Sequence, residues 1–170
     1  MIIDPIQTYD YLVRARARVL DWVRPLGAEP YERELPIGLG TLGRTLTHIL
    51  SSEWYYVERM QEHPVPPYDQ WSIRHEEPPP FAALEAAWNE QAGRTRAALG
   101  AVRAWTTEIE YRVEADDGPA IVTATPAEVF TQLAFHEVHH RAQATAMLRQ
   151  LGVTVEDLDF NLMTYRRRPA

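Results

Sequence analysis

The chain has 170 residues, enough for one domain or a small pair, and its 45% hydrophobic and 24% charged content is that of a chain able to build a core. Cysteine is absent, which excludes disulfides, thiolate metal ligands and a cysteine nucleophile, and leaves His, Asp and Glu to hold any metal. The formal net charge is −7 and every basic residue is arginine, so lysine chemistry is excluded and nucleic acid, whose phosphates demand cationic contacts, is not an expected partner.

Residues 1–10 have no basic stretch leading into an apolar run, and nothing approaches the ~18 consecutive apolar residues of a membrane span. The chain therefore reads as a cytoplasmic protein without a signal peptide or membrane partner. A first helix is predicted over residues 6–23, with Leu12, Ala15, Val19 and Trp22 at helical spacing and Pro25 and Gly27 beyond its end. Arg14, Arg16 and Arg18 alternate along it. Alternate residues on a helix do not share a face, so they read as solvated surface.

A second helix is expected over residues 42–61, with Thr41 as its N-cap and His63-Pro64 as its stop. The proline-rich stretch 64–80 then reads as an ordered crossover or lid, since neither flank suffices for a domain of its own. A third, alanine-rich helix is predicted over residues 81–103, closing near Gly100. Residues 108–114 alternate as a strand through Ile109, Tyr111 and Val113. Asp116-Asp117-Gly118 supplies a turn and residues 121–123 return, giving a hairpin.

The fourth helix opens at Thr125-Pro126, with Glu128 at capping-box spacing, and runs to about Leu151 before Gly152. In the tail, Leu158, Phe160, Leu162 and Tyr165 are apolar enough to dock back onto the body. The predicted fold is all-α: a four-helix bundle with one long crossover loop and a small β-hairpin before the last helix, a single domain over residues 1–170.

The fourth helix carries the chemistry. His136 and His140 share the apparent apolar stripe of Val129, Leu133, Met147 and Leu151, about 40° apart around the axis and ~6 Å along it. Two imidazoles so placed can share a metal ion. Two neutral core histidines are the plain alternative, though each then needs a buried partner. His139 points to the flank.

His136-Glu137-x-x-His140 also matches the zincin signature, in which Glu137 is the general base of a metallopeptidase. The longer metzincin form fails after Gln143, leaving Glu156 or Asp159 as the third ligand. A di-iron site requires a second Glu-x-x-His on a partner helix, and none is present. The third possibility draws its remaining ligand from the second helix, at His48. Three imidazoles leave an open coordination position, the catalytic pattern of zinc. Periodicity leaves His48 undecided: the stripe of Leu42, Leu46, Ile49, Leu50, Val57 and Met60 lies opposite it, and its own face carries Thr41, Thr45, Ser52 and Tyr55. Either that polar face lines a pocket, with the apolar stripe serving the core edge or a subunit contact, or His48 is exposed.

The run Leu46-x-His48-Ile49-x-x-x-Glu53-x-x-Tyr56, the run His136-x-x-x-His140-Arg141-x-Gln143 and the tail Leu158-Asp159-Phe160-Asn161-Leu162 resemble the DinB/YfiT-like family of small metal-binding four-helix bundles. Ala142 departs from the pattern, where the family often has glycine. The resemblance spans essentially the whole chain and implies three metal ligands, His48, His136 and His140. It further implies one divalent ion, foremost Zn²⁺ with Ni²⁺, Fe²⁺ or Mn²⁺ as alternatives. Thiol-dependent transferase or hydrolase activity on a small-molecule substrate follows, with a low-molecular-weight thiol such as bacillithiol or mycothiol as cosubstrate.

Glu137 and Glu53 are the candidate catalytic carboxylates, Glu137 expected at the surface and Glu53 beside the apolar stripe. Arg141 and Gln143 are candidates for the pocket mouth, and Trp54, Tyr55, Tyr68 and Trp71 for its walls. A non-catalytic, metal-stabilised homodimer, using the spare stripe of the second helix as its interface, stands as the alternative outside enzymology.

Overall fold

A computed structural model describes residues 4–115 and 118–168; Asp116 and Asp117 of the predicted turn lie outside the described residues. Helix α1 (Pro5–Val23) opens where the Asp4 carboxylate accepts the N–H groups of Ile6 and Gln7 at 2.9 and 3.1 Å. Pro5 occupies the first helical position, where a missing N–H costs nothing. A short helix α2 (Ala28–Glu32), absent from the sequence reading, follows and buries Tyr31. Helix α3 (Leu42–Met60) is capped by Thr41 Oγ1, which accepts from Arg44 N at 3.0 Å. Just past its end, Glu62, with a φ of 56°, turns the chain so that His63 N–H reaches back to Glu58 O at 2.9 Å.

Helix α4 (Phe81–Ala101) follows the proline-rich crossover. Strands β1 (Ile109–Ala115) and β2 (Gly118–Ala124) form an antiparallel ribbon with Ile109 opposite Ala124 and Arg112 opposite Ile121. Helix α5 (Pro126–Gln150) starts with the predicted capping box: Glu128 N–H donates to Thr125 Oγ1 at 3.2 Å, and Thr125 N–H to Glu128 Oε2 at 2.8 Å. Helix α6 (Phe160–Thr164) lies in the tail. There Leu158 and Phe160 dock as expected, Tyr11 donating its hydroxyl to Leu158 O at 2.8 Å, whereas Leu162 and Tyr165 stay exposed.

The four long helices enclose two apolar clusters. One gathers Tyr9, Leu12, Val57, Leu99, Phe130 and Leu133; the other gathers Val19, Leu46, Leu50, Leu84, Trp88 and Leu148. Leu42, Leu46, Ile49, Leu50, Val57 and Met60 are all buried within this single chain. The α3 stripe that suggested a subunit contact is thus the core side of the helix and supplies no interface.

On each helix the two clusters are separated by one polar turn: Arg16 on α1, Glu53 on α3, Gln91 and Thr95 on α4, Glu137 and Arg141 on α5, all buried. Arg16 was expected in solvent; instead it pairs with both Glu53 and Glu137, its guanidinium 3.7 Å from the Trp88 ring centre. Tyr9 Oη and Thr95 Oγ1 each donate to Glu53 Oε1 at 2.6 Å, and Gln91 donates to Thr95 at 3.1 Å. Burial alone would lower the Arg16 pKa, but Glu137 and Glu53 hold it above its ordinary value.

Candidate metal centre

The seam that α5 presents to the core runs through Phe130, Leu133, Ala134, Glu137, Arg141, Ala144 and Leu148. His136 and His140 stand beside this seam, half-buried, rather than on it. The reason is the polar layer. Two charged residues occupy core positions because their partners lie on other helices, and an apolar pattern skips them.

On α3, His48 is half-buried and faces α5. Thr45 and Ser52, one turn either side of it, are small and buried. Thr45 Oγ1 packs 3.8 Å from Met147 Sδ, so the two helices approach closely here. His48 Nε2 and His136 Nε2 stand 3.0 Å apart. The rings of His140 and His136 are centred 4.4 Å apart, and those of His140 and His48 4.6 Å apart. The three residues offer ligand atoms that all lie within 4.8 Å of one another.

Burial lowers the His48 pKa to about 4, with His140 and His75 adding repulsion. Burial, followed by His140 and His48, lowers that of His136 to about 3. Burial also lowers that of His140, partly opposed by its hydrogen bond to Gln143. All three imidazoles are therefore neutral at neutral pH and keep a lone pair for a cation. Two nitrogens held about 2.0–2.1 Å from one zinc ion in tetrahedral array lie roughly 3.3 Å apart, close to the His48–His136 spacing.

Gln143 fixes the third ring. Its Oε1 accepts from His140 Nδ1 at 2.8 Å, which leaves His140 Nε2 as the lone-pair atom, and its Nε2 donates to His139 Nε2 at 3.1 Å. Metal-binding histidines are commonly braced in this way through the second ring nitrogen. Gly38, in the loop before α3, has φ 49°, and a Cβ there would collide with the Gln143 amide.

Sequence reasoning missed His75. This residue of the crossover has its ring centre 5.1 Å from that of His48, and its Nδ1 lies 2.8 Å from Tyr68 Oη, which donates to Glu76 Oε2 at 2.7 Å. A lone histidine in a proline-rich loop carries no sequence signal. The loop is pinned by Trp71, which stacks on Tyr55 at 5.6 Å and meets Trp54 edge-on at 5.0 Å. The ring of Tyr56 lies 5.7 Å from that of His136.

Other expected site residues sit elsewhere. Glu137 is 2% exposed, not at the surface. It is held by Arg16, with Arg141 Nη1 3.8 Å away, and is not among the histidines. Glu53 belongs to the same buried layer. Arg141 is buried against the Tyr11 ring and donates to its hydroxyl; it lines a pocket beside Leu158 and Asp159 and does not join the three histidines. Glu156 pairs with Arg18 at 2.8 Å, and among the described residues neither it nor Asp159 joins the histidine group.

The DinB family model matches residues 1–168. Among solved structures, a DinB-like protein from Bacillus cereus is similar to the chain with a TM-score of 0.64 at 18% identity, covering 90% of this chain and 94% of that one. A DinB-like protein from Bacillus subtilis has a TM-score of 0.62 at 16% identity, covering 95% and 99%. At these identities the likeness establishes the fold. No curated protein matches the chain.

Proposed function

The chain belongs to the DinB family, and on that premise we propose that His48, His136 and His140 bind one divalent ion, Zn²⁺ foremost, for reaction of a small-molecule substrate in the remaining coordination position. One observation carries the reading: three neutral imidazoles from two helices converge, while the acid groups of the interior are already paired with arginine. When bound, such an ion acts as a Lewis acid and lowers the pKa of a ligated water or thiol toward neutrality. That chemistry suits hydrolysis or transfer of a low-molecular-weight thiol, and a chain without cysteine must take any thiol from outside.

The protein's own residues supply geometry. Gln143 holds His140 by its Nδ1–H. Arg16 ties Glu53 of α3 to Glu137 of α5, fixing the rotation of the two helices that carry the ligands. In this reading both carboxylates position the site and neither acts as a base, so the zincin assignment of Glu137 has no support from its surroundings.

The test is elemental analysis of protein purified without a histidine tag, beside His48→Ala, His136→Ala and His140→Ala. The expected result is about one equivalent of metal in the parent and its loss in each variant. Full metal content in all three variants refutes the site. A screen of thiols with small electrophiles, with and without chelator, then reads activity; a large chelator-induced fall in melting temperature without turnover selects the non-catalytic reading.

A further inference from the structure

Arg59, near the end of α3, is only 7% exposed. Its guanidinium carbon lies 4.8 Å from the ring centres of both Tyr55 and Tyr111. Its Nε is buried without a hydrogen-bond partner, and among the described residues no carboxylate stands within ion-pair distance of it. The other buried arginines are treated differently: Arg16 has two carboxylates, and Arg141 has a hydroxyl and a nearby carboxylate. A buried cation without a counter-charge is costly to keep, and an anion beside it would relieve that cost.

Arg59 lines a cavity of about 570 Å³ between the proline-rich loop and β1, flanked by Tyr55, Tyr68, Trp71 and Tyr111. That size and lining suit a small organic molecule. The acidic groups around it, Glu62, Glu110 and Glu114, are exposed. Arg112 is engaged with Glu114 at 3.0 Å, and His63 with Glu58 at 2.8 Å. An aromatic floor with one unpaired guanidinium inside an acidic rim favours a singly charged carboxylate over a dianionic phosphate, since the rim repels the second charge and the planar fork matches a carboxylate.

We propose that this groove binds the carboxylate of a small organic acid with a flat apolar body, Arg59 gripping the carboxylate and the aromatic side chains flanking the body. Residues 48, 52, 55 and 59 fall on one face of α3, with Arg59 roughly 16 Å along the axis from His48. The groove thus opens on the side of the helix that carries the histidines, but the inference does not require that they hold a metal.

Calorimetric titration of the intact protein with 4-phenylbutyrate, 4-phenylbutanol and phenyl phosphate tests it. The acid is expected to bind about tenfold or more tightly than the alcohol, the worth of a charge-assisted pair. Arg59→Met erases that preference and Arg59→Lys restores part of it. Equal binding of acid and alcohol by the parent, or an unchanged preference in a folded Arg59→Met, overturns the proposal: the arginine is then satisfied by its two tyrosine rings alone. Tighter binding of phenyl phosphate overturns the carboxylate assignment. Should Arg59→Met fail to fold, the Nε–H resonance of Arg59 in the parent decides, since it must shift with the acid and not with the alcohol.

Discussion

Two polar clusters lie between α3 and α5 and differ in one respect. In the buried layer, Arg16, Glu53, Glu137 and Arg141 balance two positive against two negative charges, and Tyr9, Thr95 and Tyr11 take up further bonds. In the histidine cluster three neutral imidazoles converge, with His48 Nε2 and His136 Nε2 only 3.0 Å apart. The first closes almost entirely on itself, with Arg141 Nη1 its one buried polar atom without a hydrogen bond among the described residues. The second gathers ligand atoms within 4.8 Å of one another that could hold an ion. A polar group in a protein interior marks a site when it is unsatisfied, not merely when it is present.

The largest effect is expected from breaking the complete cluster. Arg16→Ala strands two buried carboxylates and costs about 3–5 kcal/mol. The charge-neutral combination of Arg16→Met, Arg141→Met, Glu53→Gln and Glu137→Gln, which removes two charges of each sign, recovers most of that, because exchanging a buried ion network for neutral groups is often close to neutral. Urea denaturation of both reads the difference. Equal losses in the two would mean that the layer acts through shape rather than charge.

A smaller effect follows from loosening the open cluster without removing a ligand. Gln143→Leu leaves the His140 Nδ1–H without its acceptor and weakens zinc binding by about 10–100-fold. The metal-free protein keeps its stability within about 0.5 kcal/mol. Competition with a chromophoric chelator, beside a melting curve, measures both.

The most gradual effect is on pH dependence without metal. His48 and His136 have folded pKa values of about 4 and about 3, below the ordinary value near 6.5. The unfolded chain therefore takes up protons first as pH falls, so the stability present above about 6.5 is lost progressively down to about 3. Replacing both residues with glutamine flattens that slope. An unchanged slope would place both imidazoles in solvent.

Much of this was legible beforehand because it is local. The Thr125-Pro126-Glu128 start of α5 and the four long helices follow from patterns within a few residues. The pairing of His136 with His140 follows from spacing on one helix. His48 was not decided by periodicity, since its face is built of threonine, serine and tyrosine; only family resemblance selected it. The buried layer was misread because charge is normally spent on solvent, and the partners that bring Arg16 inside lie 37 and 121 residues away. His75 and Arg59 escaped notice for a related reason: each acquires meaning only when a loop or a ribbon folds over α3.

The position of Gly38 gives the centre a control point outside the bundle. The loop there lies so close to Gln143 that a single methyl group would displace the amide, and with it the brace on His140. Any affinity for an ion at the three histidines could thus be tuned from a residue that touches no histidine, at an exposed position between core-packed Ile37 and the start of α3. Gly38→Ala is a natural first handle for anyone who wishes to weaken the ion's hold while leaving every candidate ligand in place.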